Sequence, residues 1–114
     1  MPTPLPGNAV RGSKTGKPIM ALFDLLGRTW SLGILWNLSQ QPATFRQLQQ
    51  RCEHISPTLL NTRLKELKET MMVEKTHDGY ALSELGNELF VLIEPMGGWS
   101  KQWQKQLVKQ GVIK

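Results

Sequence analysis

The stretch TFRQLQQRCEHISPTLLNTRLKELKE, residues 44–69, decides the fold. It opens with Thr44 and Gln47, spaced as a capping box in which each side chain accepts the backbone N–H of the other at a helix start. Apolar residues at positions 45, 48 and 52 then fall on one face of a short helix. Ser56 and Pro57 supply an N-cap and a first-turn proline, so another helix begins within a few residues. Two helices joined this tightly are predicted to form a helix-turn-helix.

The second helix, predicted over residues 57–70, has leucines at positions 60, 64 and 67 on its buried side. At about 100° per residue, the opposite face is polar and mostly uncharged or basic. Short polar side chains near a helix N-terminus suit base edges in the DNA major groove, and cations further along suit phosphates. Asn61 has the amide needed to pair bidentately with adenine, whereas Arg63 lies to one side, where a phosphate and a nearby carboxylate are equally good partners. The alternative is an ordinary amphipathic helix with a solvated polar face.

A hairpin is predicted directly after this helix, because Asp78-Gly79 separates two short β-prone runs. A helix-turn-helix followed by a hairpin is a winged helix. Lys75 and His77 lie near the tip, within reach of DNA, although so short a wing with an acidic tip predicts weak contact, and His77 is more typical of an exposed turn. The predicted DNA-binding residues are Arg46, Gln47, Ser56, Thr58, Asn61, Thr62, Arg63, Lys65, Lys68, Lys75 and His77.

Outward from this centre, residues 1–17 carry prolines, glycines, three cations and no acid, which predicts a flexible basic arm. Residues 18–114 form the winged-helix domain. Its first helix starts at Pro18 and stops at Gly27, and a core helix with apolar residues at 30, 34, 35 and 38 follows. The predicted class is mainly α with a small β-hairpin (α+β), with terminal dimerisation helices.

The C-terminal region, from a Ser83 cap to about residue 110, has large apolar residues spaced by four and three. This heptad-like pattern continues across Pro95 and Gly97-Gly98, where a kink or break is expected. One winged helix cannot cover so long an apolar face, which predicts a homodimer with two-fold symmetry. The predicted dimer interface consists of Leu22, Leu85, Leu89, Leu92, Met96, Trp99 and Trp103.

Composition narrows the functional classes. The chain has 114 residues and a net charge of +5. Its single cysteine excludes an intrachain disulfide. With only two histidines beside it, neither a metal site nor a cofactor is expected. Apolar runs are too short for a membrane span, and no signal peptide is evident, so a cytoplasmic protein is expected. No Ser/His/Asp set or Gly-rich phosphate loop is present, so an enzyme is not expected. Basic segments, including residues 44–70 with five cations and three acids, favour a nucleic-acid partner.

Two further features leave alternatives open. Trp30, Trp36 and Trp99 are candidates for lining an apolar effector pocket, although aromatics at helical spacing are more often plain core. Cys52 is expected in the core as an inert thiol, and only the nearby His54 keeps a reactive role in view.

Three segments together resemble the HxlR family of winged helix-turn-helix transcriptional regulators, relatives of the MarR type. They are KTGKPIMALFDLLGRTWSLGILWNL (14–38), the stretch quoted first, and MVEKTHDGYALSELGNEL (72–89). The resemblance covers roughly residues 17–103. It implies a homodimer built from the terminal helices, with double-stranded DNA as the partner and one helix per protomer reading a palindromic operator. It also implies repression or activation of nearby genes, often in response to small electrophiles or stress.

Three differences from the family pattern bear on these implications. Family members that sense reactive compounds have Cys-Pro before the first helix, whereas this chain has Lys17-Pro18, so their thiol switch is not expected. Met71 stands where the family usually has glycine after the recognition helix, which is costly if the backbone there is left-handed. The wing is shorter than usual. A winged helix that binds another protein and never touches DNA is therefore the competing hypothesis.

Overall fold

The structure, a computed structural model, describes residues 2–114 and confirms the mainly α class with one small hairpin. The elements are α1 (Pro18–Leu26), α2 (Ser31–Gln40), α3 (Phe45–Arg51), α4 (Pro57–Glu69), β1 (Val73–Thr76), β2 (Gly79–Leu82), α5 (Glu84–Ile93) and α6 (Pro95–Lys109). The helix-turn-helix is formed by α3 and α4, and the wing by β1 and β2.

The local signals at the start of α3 and α4 form as predicted. Thr44 Oγ1 accepts the Gln47 N–H at 3.1 Å, and Gln47 Oε1 accepts the Thr44 N–H at 2.9 Å, which completes the capping box. Ser56 Oγ accepts the Leu59 N–H at 3.1 Å, and Pro57 is the first residue of α4. Both helix starts are therefore fixed by side chains next to them in sequence.

The core lies where α2, α3 and α4 meet the hairpin. All three predicted α4 leucines are buried, and Cys52 is fully buried at the end of α3. The largest side chains with almost no exposed surface include Ile34, Leu35, Leu48, Leu60, Leu64 and Leu67. Burial on this scale fixes which side of α4 faces outward, since each such side chain contributes about 1.5–3 kcal/mol.

The wing is an antiparallel pair in which Val73 faces Leu82 and Thr76 faces Gly79. Ala43 forms an isolated bridge with Tyr80, which ties the segment before α3 to the hairpin. Gly79 has φ +136°, and a Cβ there would overlap the Ala43 carbonyl. Glycine at this position is therefore required by both the backbone and the close approach of the two chain segments.

The connection from α4 to the wing is left-handed at Met71, where φ is +67°. A methionine at positive φ is strained, because its Cβ comes close to the backbone in this conformation. Ser83 Oγ donates to the Met71 carbonyl at 2.6 Å. Gly86 lies against the Met72 carbonyl so closely that a Cβ would overlap it, which brings α5 against the base of the wing.

The N-terminal segment has no helix or strand over residues 2–17, but it does not extend away from the domain as a free arm would. Val10 and Ser13 form a two-bond bridge around a tight turn, and the Gly7 N–H donates to the Gly16 carbonyl at 2.8 Å. Arg11 and Pro2 bond to side chains of the domain, and Pro4 is buried. In this structure the segment predicted as a flexible basic arm is bonded to the domain through Asp24 and Arg28.

The C-terminal region is two helices rather than one helix over residues 83–110. The break falls at Glu94-Pro95, as the proline predicts, because Pro95 has no N–H to continue α5. Gly97 lies inside α6, where a Cβ would press on the Trp36 ring, so its role is close packing rather than a break.

Candidate nucleic-acid interface

The outward face of α4 is polar and exposed. Thr58, Asn61, Thr62, Lys65 and Lys68 are all exposed, on the side away from the buried leucines. Ser56 is also exposed, although its oxygen caps the helix. We call the surface formed by residues 58, 61, 62 and 65 the reading face. Its short side chains lie in the first half of the helix, where a recognition helix contacts base edges.

One flank of the reading face is formed by α3. Phe45 lines a depression of about 370 Å³ with Thr58, Asn61 and Thr62. Arg46 is exposed on the first turn of α3, whereas Gln47 uses its side-chain oxygen in the capping box. On this flank, Arg46 is therefore the free cation suited to a phosphate, and Gln47 serves chiefly to fix the helix start.

The other flank is held by a buried ionic network that the sequence analysis missed. Arg28 Nε donates to Asp24 Oδ1 at 3.3 Å, Arg28 Nη1 pairs with Glu66 Oε2, and Arg28 Nη2 donates to the Pro2 carbonyl at 2.9 Å. Both carboxylate side chains are almost completely buried. The network joins α1, α4 and the N-terminal segment.

The hydrogen bonds and charges within this network shift the pKa values of Asp24 and Arg28. Burial by itself raises the pKa of Asp24, but the hydrogen bonds and charges of Arg28 and Arg11 outweigh burial and hold that pKa below its usual value. Burial likewise lowers the pKa of Arg28, while hydrogen bonds from its side chain to Asp24 and Glu66 raise it overall. Asp24 is therefore charged and paired at neutral pH.

Arg63 belongs to this network rather than to the reading face. Its Nε donates to the Thr29 carbonyl at 2.7 Å and its Nη1 donates to Glu66 Oε1 at 3.0 Å. Its position in the sequence left a phosphate and a carboxylate as equally good partners, and in the structure Arg63 pairs with the carboxylate of Glu66. A direct DNA contact by Arg63 is not supported by this geometry.

The wing brings its two predicted residues to the surface near α3. Lys75 and His77 are exposed, and the Lys75 ammonium lies 4.9 Å from the centre of the Tyr80 ring. Both line a shallow depression with Thr44 and Phe45. Because the turn is only His77-Asp78, the wing reaches a short distance from the domain.

Comparison with known proteins decides the family. Residues 25–108 match the HxlR-like helix-turn-helix family. The chain belongs to the HxlR family. YodB, an HTH-type transcriptional regulator of Bacillus subtilis, is 31% identical over 88 residues, which cover 71% of this chain and 79% of YodB. The HTH-type transcriptional regulator MJ0925 of Methanocaldococcus jannaschii is 24% identical over 98 residues, covering 82% and 92%.

Solved structures agree with this assignment. Quinone-bound YodB from B. subtilis aligns with a TM-score of 0.68 and 32% identity over 74% of this chain and 96% of that one. Reduced YodB aligns with a TM-score of 0.65 and 30% identity over 74% and 89%. The HxlR-family chain is thus a DNA-binding transcriptional regulator with a winged helix fold, and the competing hypothesis of a module without DNA binding is not favoured.

The residues predicted for the dimer interface fall into two groups. Leu85, Leu92, Met96, Trp99 and Trp103 are exposed, whereas Leu22 and Leu89 are half-buried, with Leu89 packed on the core. Trp99 and Trp103 stack with ring centres 6.0 Å apart. Further exposed apolar residues that the spacing did not single out are Ile19, Phe23 and Val91.

The three tryptophans predicted to line an effector pocket make separate contacts within this chain. Trp36 packs edge-on against Phe90 with centroids 5.4 Å apart, Trp30 covers Gly33, and Trp99 stacks with Trp103. The three side chains therefore serve separate packing contacts. An apolar cavity of about 300 Å³ lies elsewhere, between the N-terminal segment, α1 and the end of α4.

Cys52 is a structural residue in this fold. Its side chain is fully buried, and burial raises the pKa of the thiol above its ordinary value. A raised pKa lowers the thiolate fraction and hence the reactivity. Within residues 2–114, no cluster of three or more His, Cys, Asp or Glu side chains is arranged to hold a metal ion.

No single helix in this part of the chain is long and apolar enough to cross a bilayer. Helices α1 and α2 meet the length and composition criteria only as a pair, bent by 83°.

Proposed function

We propose that the protein is a homodimer in which the α4 helices of two protomers read a palindromic operator. The observation that carries this proposal is the reading face itself, a polar helix surface left exposed by a fully buried leucine stripe. Thr58, Asn61, Thr62 and Lys65 contact base edges, while Arg46 and Lys68 contact phosphates, with Lys75 and His77 adding weak contacts from the wing. This function involves no chemical reaction, and a regulator of chromosomal genes acts in the cytoplasm.

Comparison of two variants of α4 tests base reading. Asn61→Ala is expected to cost about 1–3 kcal/mol on a duplex that the wild-type protein selects from random DNA, and little on a scrambled duplex. Lys68→Ala is expected to weaken both duplexes about equally, because a phosphate contact carries no sequence information. Both affinities are measured at one fixed salt concentration, with thermal melts to verify folding. Equal losses for Asn61→Ala on the two duplexes would contradict reading through this face.

The exposure of helix α6 supports the proposed dimer. This helix has 15 residues and buries none of them within its own chain. In α6, Trp99 is 62% and Trp103 53% exposed, and at the end of α5 Leu92 is 73% exposed, which is unusual for side chains of this size. A helix of this length is marginal in water without a packed apolar face. A second copy with two-fold symmetry covers these residues and places two α4 helices about 34–36 Å apart, one helical turn of DNA.

We also propose a small apolar effector in the 300 Å³ cavity rather than among the tryptophans. Its lining includes Pro4, Leu22, Leu25, Met72 and Leu85. Leu22 and Leu85 belong to the proposed dimer interface, and the cavity touches the end of α4, so an occupant affects both. YodB has a quinone-bound form. Because Cys52 is buried and does not line this cavity, we expect binding to this chain to be non-covalent.

A methyl NMR titration with a small quinone such as 2-methyl-1,4-naphthoquinone tests the effector site. Using Cys52→Ser protein removes thiol chemistry from the result. Methyl signals of Leu22, Leu25 and Met72 are expected to shift, with those of Leu48 and Leu60 unchanged because they lie in the closed core. Shifts confined to other methyl groups, or none, would contradict this effector site while leaving operator binding unaffected.

A further inference from the structure

The N-terminal segment forms a second polar cleft beside the recognition helix. Arg11, Thr29, Thr62 and Arg63 line a depression of about 230 Å³ on the side of α4 away from Phe45. Thr62 lines both depressions, so the reading face lies between them. A recognition helix in a major groove has a phosphate backbone on each side. From this arrangement we propose that Arg11, with the hydroxyl groups of Thr29 and Thr62, binds a phosphate of the DNA strand on this side.

The position of Arg11 is fixed by the fold. The bridge between Val10 and Ser13 places Arg11 in a tight turn, and its backbone N–H donates to Asp24 Oδ2 at 3.1 Å. The side chain pairs with Asp24 through Nε at 3.5 Å and remains 56% exposed. A cation whose backbone is already anchored loses little backbone conformational entropy when its side chain binds a phosphate.

The charge of the cleft also favours an anion. Three guanidinium groups, from Arg11, Arg28 and Arg63, face the two carboxylates of Asp24 and Glu66. One positive charge is in excess, and Arg11 is the most exposed of the three guanidinium side chains. Hydroxyl and guanidinium donors together are the common set for protein contacts to DNA phosphates.

Arg11 lies outside the family match, which begins at residue 25. Its contact with a phosphate rests on the proposed DNA binding by the protein. The N-terminal segment is expected to increase affinity without adding sequence discrimination, since a phosphate carries no sequence information.

The test compares Arg11→Gln with Lys14→Gln, a variant with the same loss of charge in the same segment. Lys14 is exposed and does not line the cleft. Affinities for selected and scrambled duplexes are measured by fluorescence anisotropy over a range of salt concentrations. Arg11→Gln is expected to weaken both duplexes by a similar factor and to reduce the salt slope by about one per protomer. Lys14→Gln is expected to change the slope much less.

A double-mutant cycle separates the cleft from a purely structural role of Arg11. Thr29→Val removes one hydroxyl, and its effect is expected to shrink at least two-fold in an Arg11→Gln background because both groups bind one phosphate. Equal salt slopes for Arg11→Gln and Lys14→Gln, or additive effects of Arg11→Gln and Thr29→Val on affinity, would overturn the proposed phosphate contact in the cleft. Wild-type protein that shows no salt-dependent binding would instead overturn DNA binding itself, so the two failures are distinguishable.

Discussion

Helices α4 and α6 carry similar apolar patterns but bury them differently. In α4, Leu60, Leu64 and Leu67 are covered by the same chain. In α6, Met96, Trp99 and Trp103 follow the same spacing of three and four residues, yet the helix has no buried residue. Periodicity therefore identifies an apolar face without identifying the chain that covers it. The α4 stripe stabilises the protomer, and we attribute the α6 stripe to association.

Truncating one apolar side chain in α4 and one in α6 separates these two roles and has the largest expected effect on the free energy of unfolding. Leu64→Ala is expected to lower the free energy of unfolding by about 2–5 kcal/mol at any chain concentration, because it leaves a cavity in a closed core. Trp103→Ala is expected to lower it only at concentrations where the protein is a dimer. Urea unfolding at low and high chain concentration measures both. A concentration-independent loss for Trp103→Ala would show that α6 stabilises the protomer itself.

The charged side of α4 gives the next largest effect. Arg28→Leu is expected to cost about 3 kcal/mol, because Asp24 and Glu66 stay buried after their shared partner is removed. The control, Lys65→Leu, breaks an exposed pair with Glu69 and is expected to cost less than about 0.5 kcal/mol. Similar losses for the two variants in urea unfolding would mean that the buried network is no more important than a surface ion pair.

Acid should weaken the same network by a smaller amount. The pKa of Asp24 in the folded protein lies below its value in the unfolded chain. Its contribution is therefore fully present above about pH 4, the unfolded value, and is lost as the pH falls through the lower folded value. The difference in unfolding free energy between wild type and Asp24→Asn should shrink with acidification. A difference that is constant from neutral to strongly acidic pH contradicts the pairing.

The smallest effect concerns the end of α4, where Met71 is left-handed. Met71→Gly is expected to raise the free energy of unfolding by about 0.5–1 kcal/mol, because glycine adopts positive φ without steric cost. The neighbouring Thr70→Gly is the control and should destabilise, since Thr70 has φ −91° and its hydroxyl bonds to the Glu66 carbonyl. Thermal or urea unfolding checks the pair. Destabilisation by Met71→Gly would mean that side-chain packing outweighs backbone strain there.

The sequence was the best guide to those features of the fold that residues close together in the chain determine. The Thr44–Gln47 box, the Ser56 cap and the hairpin at Asp78-Gly79 each depend on residues within three positions, and all form, although the turn itself is His77-Asp78 and Gly79 begins β2. The outward orientation of Asn61 followed from leucines one and three residues away on the same helix. In these regions, local hydrogen bonding and helix periodicity are sufficient to define the geometry.

Sequence predicted least where distant segments meet. The Arg28–Glu66 pair spans 38 residues, so no local pattern reveals it, although Asp24 and Arg28 at i and i+4 were a usable sign of the remaining pair. The N-terminal segment was predicted to be a flexible arm because its prolines and glycines exclude regular structure. Its contacts with the domain depend on Asp24 and Arg28, which are distant from it in the sequence. The separation of the three tryptophans likewise depends on how α5 and α6 pack against Trp36.

Two copies of the chain are proposed to join through α6 and to bind one operator together. Sedimentation of the protein alone and with a selected duplex tests this association, with Trp103→Glu as the variant and Lys105→Glu, on the far side of α6, as the control. We expect two chains for wild type and Lys105→Glu, free and on each duplex, and one chain for Trp103→Glu. A wild-type protein that is a single chain free and on DNA, or a Trp103→Glu variant that dimerises as Lys105→Glu does, would contradict it.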